Sequence, residues 1–206
     1  MSLKSSVKRR IAVLLLGGIL LPTAGFAHIP IPPKEPSDIG RRLVNTPVSG
    51  FKLTDQDGKP FRFTAARGKL ILVTFVFTTC PDVCPLLTAK FAAIQRALDE
   101  KQVKDYLLLT ITTDPERDSP AVLKDYAKRF NADLRHWSFL AGQRSELAKV
   151  WKIFRVNVTK TQSGDVNHTT LTTLIDRRGQ RRVDYYGDKW QNKEVLKDIQ
   201  WLASLK

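Results

Sequence analysis

Sulfur is scarce in this chain. Its 206 residues hold two cysteines, Cys80 and Cys84, and one methionine, Met1. The cysteine pair therefore has no competing partner within the chain. Export would remove Met1, so no thioether is left to bind a metal. Histidine is nearly as rare, at His28, His136 and His168. Long apolar runs are missing too: Ile11 to Leu21 falls short of the roughly 20 residues that span a bilayer. No cysteine lies near Ala27, which excludes lipid attachment at a signal-peptide cysteine. No internal repeat or second domain is visible.

What is present begins with an export signal. Lys4, Lys8, Arg9 and Arg10 form a basic n-region, Ile11 to Leu21 an apolar stretch, and Pro22 to Ala27 a small-residue cleavage region. Residues 1–27 read as a cleaved signal peptide, with an N-terminal membrane anchor through residues 11–27 as the alternative. Either places the rest outside the cytoplasm, periplasmic or facing the periplasm at the inner membrane, where an idle dithiol oxidises. The whole chain carries 34 Lys+Arg against 20 Asp+Glu; without the four cations of the signal, 30 against 20 leaves +10. Such a surface steers toward an acidic protein face or an anionic membrane. Nucleic acid is disfavoured, because the cations are scattered and the chain is exported.

His28 to Asp38 holds four prolines in eleven residues, and residues 28–44 read as a semi-rigid tether. A single domain is expected over 45–206. Segments 50–55 and 61–63 flank Asp57-Gly58 and read as a hairpin. Leu70 to Phe77 and Tyr106 to Thr113 are nearly all apolar or β-branched, as in strands buried on both faces. Helical spacing runs from Val83 to Lys101, and Ser119-Pro120 opens a second helix. A short strand at 137–140, a helix at 145–151, strands at 169–176 and 181–186 and a helix at 191–205 complete the order. This is an α/β chain: a thioredoxin-like mixed β-sheet flanked by helices, with an N-terminal β-hairpin.

Cys80 then stands where a buried strand ends, and Cys84 in the first turn of the next helix. The helix N-terminus is expected to lower a thiol pKa there. Three intervening residues give a wider bite than a two-residue redox motif, suiting a metal without preventing a redox-active disulfide. Two thiolates favour Cu(I) and also bind zinc, and a third ligand is expected. His136 reads as an exposed strand start, and His28 as incidental. His168 enters the strand that a thioredoxin-like sheet sets beside the dithiol loop. Cys80, Cys84 and His168 together suit Cu(I), and Cu(II) with an added ligand. A blue-copper carrier is disfavoured, since it needs one Cys, two His and often Met. In Thr113 to Pro120, Asp114 and Asp118 read as caps of the next helix and Arg117 as a carboxylate partner. Asp114 and Arg117 are also candidates to support the metal ligands.

Phe75 to Pro85 (FVFTTCPDVCP), Asp114 to Pro120 (DPERDSP), Trp137 to Gly142 (WSFLAG) and His168 ahead of a strand ending at Asp176 resemble the SCO/SenC family of thioredoxin-like copper proteins. The resemblance covers roughly residues 45–205. It implies a copper metallochaperone delivering to the dinuclear copper centre of cytochrome c oxidase subunit II, or to another copper protein, with Cys80, Cys84 and His168 as copper ligands. Asn167 stands where many members have Asp, which bears on histidine orientation. No catalytic residue is assigned under this reading. The main rival is a thiol-disulfide oxidoreductase that reduces a partner's cysteines, needs Cys80 and Cys84 but not His168, and turns over with a thiol reductant. A thiol peroxidase fits poorly, because it needs one activated thiolate without a second cysteine one turn on.

Overall fold

The computed structural model describes residues 40–162 and 164–205. The signal or anchor at 1–27, His28 and most of the 28–44 stretch lie outside the described residues. Among the described residues no helix is long and apolar enough to cross a membrane.

A six-stranded mixed sheet forms the centre. Its strands are β1 (Arg41–Pro47), β4 (Leu70–Val76), β5 (Tyr106–Thr112), β6 (Trp137–Leu140), β9 (Leu171–Ile175) and β10 (Gln180–Tyr186), in the order β1-β10-β9-β4-β5-β6. β4, β5 and β6 run parallel, while β9, β10 and β1 pair antiparallel. The parallel pairs follow from the crossover helices α1 (Val83–Glu100) and α2 (Pro120–Arg129), because parallel neighbours need a long connection. β2 (Lys52–Thr54) and β3 (Pro60–Arg62) form the expected hairpin as a separate sheet, and so do β7 (Val158–Lys160) and β8 (Val166–His168).

Strand alternation sends the central side chains into two cores. Leu70, Leu72 and Val76 of β4 face Leu87, Phe91 and Ile94 of α1, Leu123 and Tyr126 of α2, and Ile199 of α4 (Asn192–Ser204). Ile71, Val73 and Phe75 face Phe51 and Phe63 of the hairpin region and Leu147, Val150 and Phe154 of α3 (Arg144–Phe154). Every residue of β4 and β5 is buried, as their near-continuous apolar composition requires. Ser119 caps α2, its Oγ accepting from the Val122 N–H at 3.4 Å, with Pro120 in the first turn.

Two departures from the sequence reading matter for the site. The sheet begins at Arg41, four residues inside the stretch assigned to the tether. β1 is held there by backbone pairing with β10 and by Arg41, which donates to Asp198 at 2.6 and 2.9 Å. The β7–β8 hairpin was not expected. Its strands are three residues each, too short to show a period.

Strand direction gathers one edge of the sheet. Arg41 pairs with Tyr185, Tyr185 with Thr172, and Thr172 with Thr74. The entry of β1, the end of β10, the start of β9 and the ends of β4 and β5 therefore share one edge. The loop carrying Cys80 leaves β4 there, and His168 precedes β9 there. His136, just before β6, belongs to the opposite edge, where its ring stacks on Tyr106 at 4.8 Å.

Candidate metal centre

Residues 77–82 form the connection from β4 to α1. Cys80 is half-buried, Cys84 is fully buried as the second residue of α1, and both are free thiols. Phe77 organises the pair. Its carbonyl accepts from the Cys80 N–H at 3.2 Å, and its backbone also hydrogen-bonds the Cys84 thiol, which meets the Cys80 side chain. The Phe77 ring meets the His168 imidazole edge to face, centroids 5.9 Å apart. One residue thus touches all three sequence-predicted ligands.

The Cys84 environment overturns one expectation. Burial pushes its thiol well above the ordinary value, and the Phe77 hydrogen bond offsets this only in part. Contact with Cys80 and the nearby Asp118 charge add to the rise. Desolvation outweighs the helix N-terminus because the sulfur is sealed from water. Cys84 is therefore a protonated thiol at neutral pH, and a metal must displace its proton.

His168 closes β8, paired with Val158 of β7. Its Nδ1 bonds the Thr169 carbonyl at 3.0 Å; Nδ1–H is then the donor, and Nε2 keeps its lone pair. Burial lowers the imidazole pKa, and the Thr169 bond opposes this. A neutral imidazole with Nε2 available is the form that binds metal. Asn167, exposed and adjacent to His168, points to the other face of β8. The Thr169 carbonyl, not Asn167, orients the histidine.

The structure brings Cys80 and Cys84 into contact and sets His168 against Phe77. Among the described residues no three His, Cys, Asp or Glu side chains converge closely enough to hold a metal. The donor chemistry nevertheless fits a soft ion: two thiols and one neutral imidazole. Residues on either side of Cys80, with Arg117, Asp165 and Val166, line a cleft of about 360 Å³ between the dithiol loop and the β7–β8 hairpin.

The turn from β5 to α2 borders that cleft. Asp114 is fully buried, and its carboxylate meets Lys160 Nζ at 3.1 Å and Arg117 Nη1 at 3.4 Å. Arg117 Nη2 donates to the Gly164 carbonyl at 2.8 Å. Gly164 has φ +84°, and a Cβ there would lie 3.2 Å from Arg117 Nη2, so this position favours glycine. Asp118 does not cap α2. It turns back to the dithiol loop, accepting from Thr78 Oγ1 and Thr112 Oγ1, both at 2.5 Å, and from the Thr78 N–H at 3.2 Å. Burial raises its pKa against those bonds. Sequence reasoning missed the roles of Phe77, Thr78, Asp118 and Lys160. The first three lie inside the quoted motifs; Lys160 carried no signal.

The family model described as SCO1/SenC matches residues 41–204. The SCO2-like protein of Rickettsia typhi is 34% identical over 144 residues, covering 67% of this chain and 69% of its own. ScoI of Bradyrhizobium japonicum, solved with copper bound, is 36% identical with a TM-score of 0.65, covering 75% of this chain and 98% of its own. BsSco, described as having a disulfide switch and as one of the Sco family of cytochrome c oxidase assembly proteins, is 29% identical with a TM-score of 0.70, covering 80% of this chain and 97% of its own. Matched along the whole sheet, with its dithiol loop and facing histidine on one edge, the chain belongs to the SCO1/SenC family.

Proposed function

We propose that this chain is an exported copper metallochaperone that acts in cytochrome c oxidase assembly, delivering copper to the dinuclear centre of subunit II. The observation that carries the reading is the pairing of two free thiols, Cys80 and Cys84, with a neutral imidazole whose Nε2 has no hydrogen bond among the described residues, on the same sheet edge. Copper is the cargo, and Cu(I) is the oxidation state that two thiolates and an imidazole favour. Cys80, half-buried, is the entry ligand; Cys84 and His168 close around the ion. Asp114 and Arg117 support the ligands by bracing the hairpin that carries His168. The copper-bound B. japonicum relative supports the choice of ion. Export rests on the basic-apolar start of the sequence.

The test is an anaerobic Cu(I) titration of the reduced protein against a competing chelator. The expected result is one ion per chain, with affinity reduced by about tenfold or more, equivalent to about 1.4 kcal/mol, in His168→Ala. Binding that is weak and indifferent to His168 would sink the reading.

A second reading draws on the asymmetry of the thiols. An accessible Cys80 beside a buried, protonated Cys84 suits attack by one sulfur and resolution by the other, so a redox-active Cys80–Cys84 disulfide and reduction of a partner's cysteines are open to the same pair. That role needs an external thiol reductant and is insensitive to His168, which separates it from copper delivery in the same titration.

A further inference from the structure

The β5–α2 turn touches both halves of the site through different side chains. On one side, Asp118 is 1% exposed. A buried carboxylate is costly unless it is paired or well hydrogen-bonded. Its partners here are hydroxyls and an amide: Thr112 Oγ1 from β5, and Thr78 Oγ1 and N–H from the dithiol loop. Thr78 is two residues before Cys80 and follows Phe77, whose backbone bonds both cysteines. Asp118 thus pins the dithiol loop to the end of β5. On the other side, Lys160 reaches from β7 to two carboxylates of the same turn, Asp114 and Glu116, each at 3.1 Å. Lys160 pairs with Val166 in the hairpin, whose other end pairs Val158 with His168. The turn itself is closed by Arg117 and Asp118 N–H groups donating to the Asp114 carbonyl.

We propose that Asp118 and Lys160 are positioning residues for copper binding, Asp118 fixing the thiols through Thr78 and Lys160 fixing the His168 hairpin through Asp114 and Glu116. The turn Asp114–Asp118 then sets the separation between imidazole and sulfurs. This rests on the copper reading above. Neither side chain is a ligand. Lys160 acts on the histidine, Asp118 on the dithiol, and their effects should separate accordingly.

The test is a double-mutant cycle in Cu(I) affinity, with His168→Ala in wild-type, Lys160→Met and Asp118→Asn backgrounds. Lys160→Met keeps the aliphatic stem and removes the charge. In wild type the histidine contributes about tenfold or more; in Lys160→Met its contribution should fall to about threefold or less. In Asp118→Asn the overall affinity should fall while the histidine keeps its share. A second readout needs no copper: the nuclear Overhauser contact between the Phe77 and His168 rings should weaken in Lys160→Met and persist in Asp118→Asn. Thermal denaturation of each variant establishes that it is folded at the assay temperature. If wild type binds copper through His168 but Lys160→Met and His168→Ala are additive within about twofold, with the ring contact unchanged, the proposal fails while the copper reading stands. If wild type does not bind copper, the copper reading fails and this proposal with it, whatever the ring contact shows.

Discussion

His168 donates through Nδ1 to a carbonyl and is kept neutral by burial. Its apparent pKa in the copper-free protein is therefore expected below the ordinary 6.5, read by NMR titration of the ring nitrogens. The sign for stability follows. The unfolded chain binds the proton more readily than the folded one, so the histidine's contribution is complete above about 6.5 and is lost as pH falls through the folded value. A titration at or above 6.5 would contradict the burial argument. At this scale the candidate ligands stand out because sulfur and imidazole are rare in the sequence. What was illegible was context. Asp118 sits directly before a helix and looks like a cap, but its bonds go to Thr78, 40 positions away in sequence. Helix position predicts an acidified Cys84; only the packed structure reveals the burial that reverses it.

Among elements, the strands buried on both faces and the amphipathic helices announced themselves by composition and period. β1 did not. Its sequence RRLVNTP has no buried residue and lies on a sheet edge, and arginine with proline there resembles a linker. Arg41 is what makes it a strand of this domain. Its guanidinium is 10% exposed and pairs with Asp198, 3% exposed, which also accepts from the Tyr185 hydroxyl. Removing one partner of such a pair leaves a buried charge, so Arg41→Ala is expected to cost about 3–5 kcal/mol in urea unfolding. A loss under about 1 kcal/mol would mean that β1 is held by its backbone pairing alone. The β7–β8 hairpin was invisible for a different reason: its order comes from Lys160 reaching the β5–α2 turn and from Arg117 of that turn reaching Gly164, contacts that no local pattern encodes.

For the whole molecule, 30 basic against 20 acidic residues beyond position 27 make an electropositive body that attracts acidic faces over about a Debye length. Association with an acidic copper-accepting partner should slow as salt rises from low to physiological concentration, measurable by stopped-flow mixing. A rate independent of salt would show that the charge serves solubility alone. The entry of β1 gives the molecule a direction as well. The chain arrives through Gly40, at φ +91°, where a Cβ would lie only 2.3 Å from the Tyr186 carbonyl oxygen, and it joins the sheet at the edge that carries Cys80 and His168. Under the anchored alternative for the N-terminus, the edge that carries the candidate ligands would be the edge nearest the mooring. In that case partners held on the same surface would meet this edge first, and lengthening the chain ahead of Gly40 would widen the circle of partners within reach.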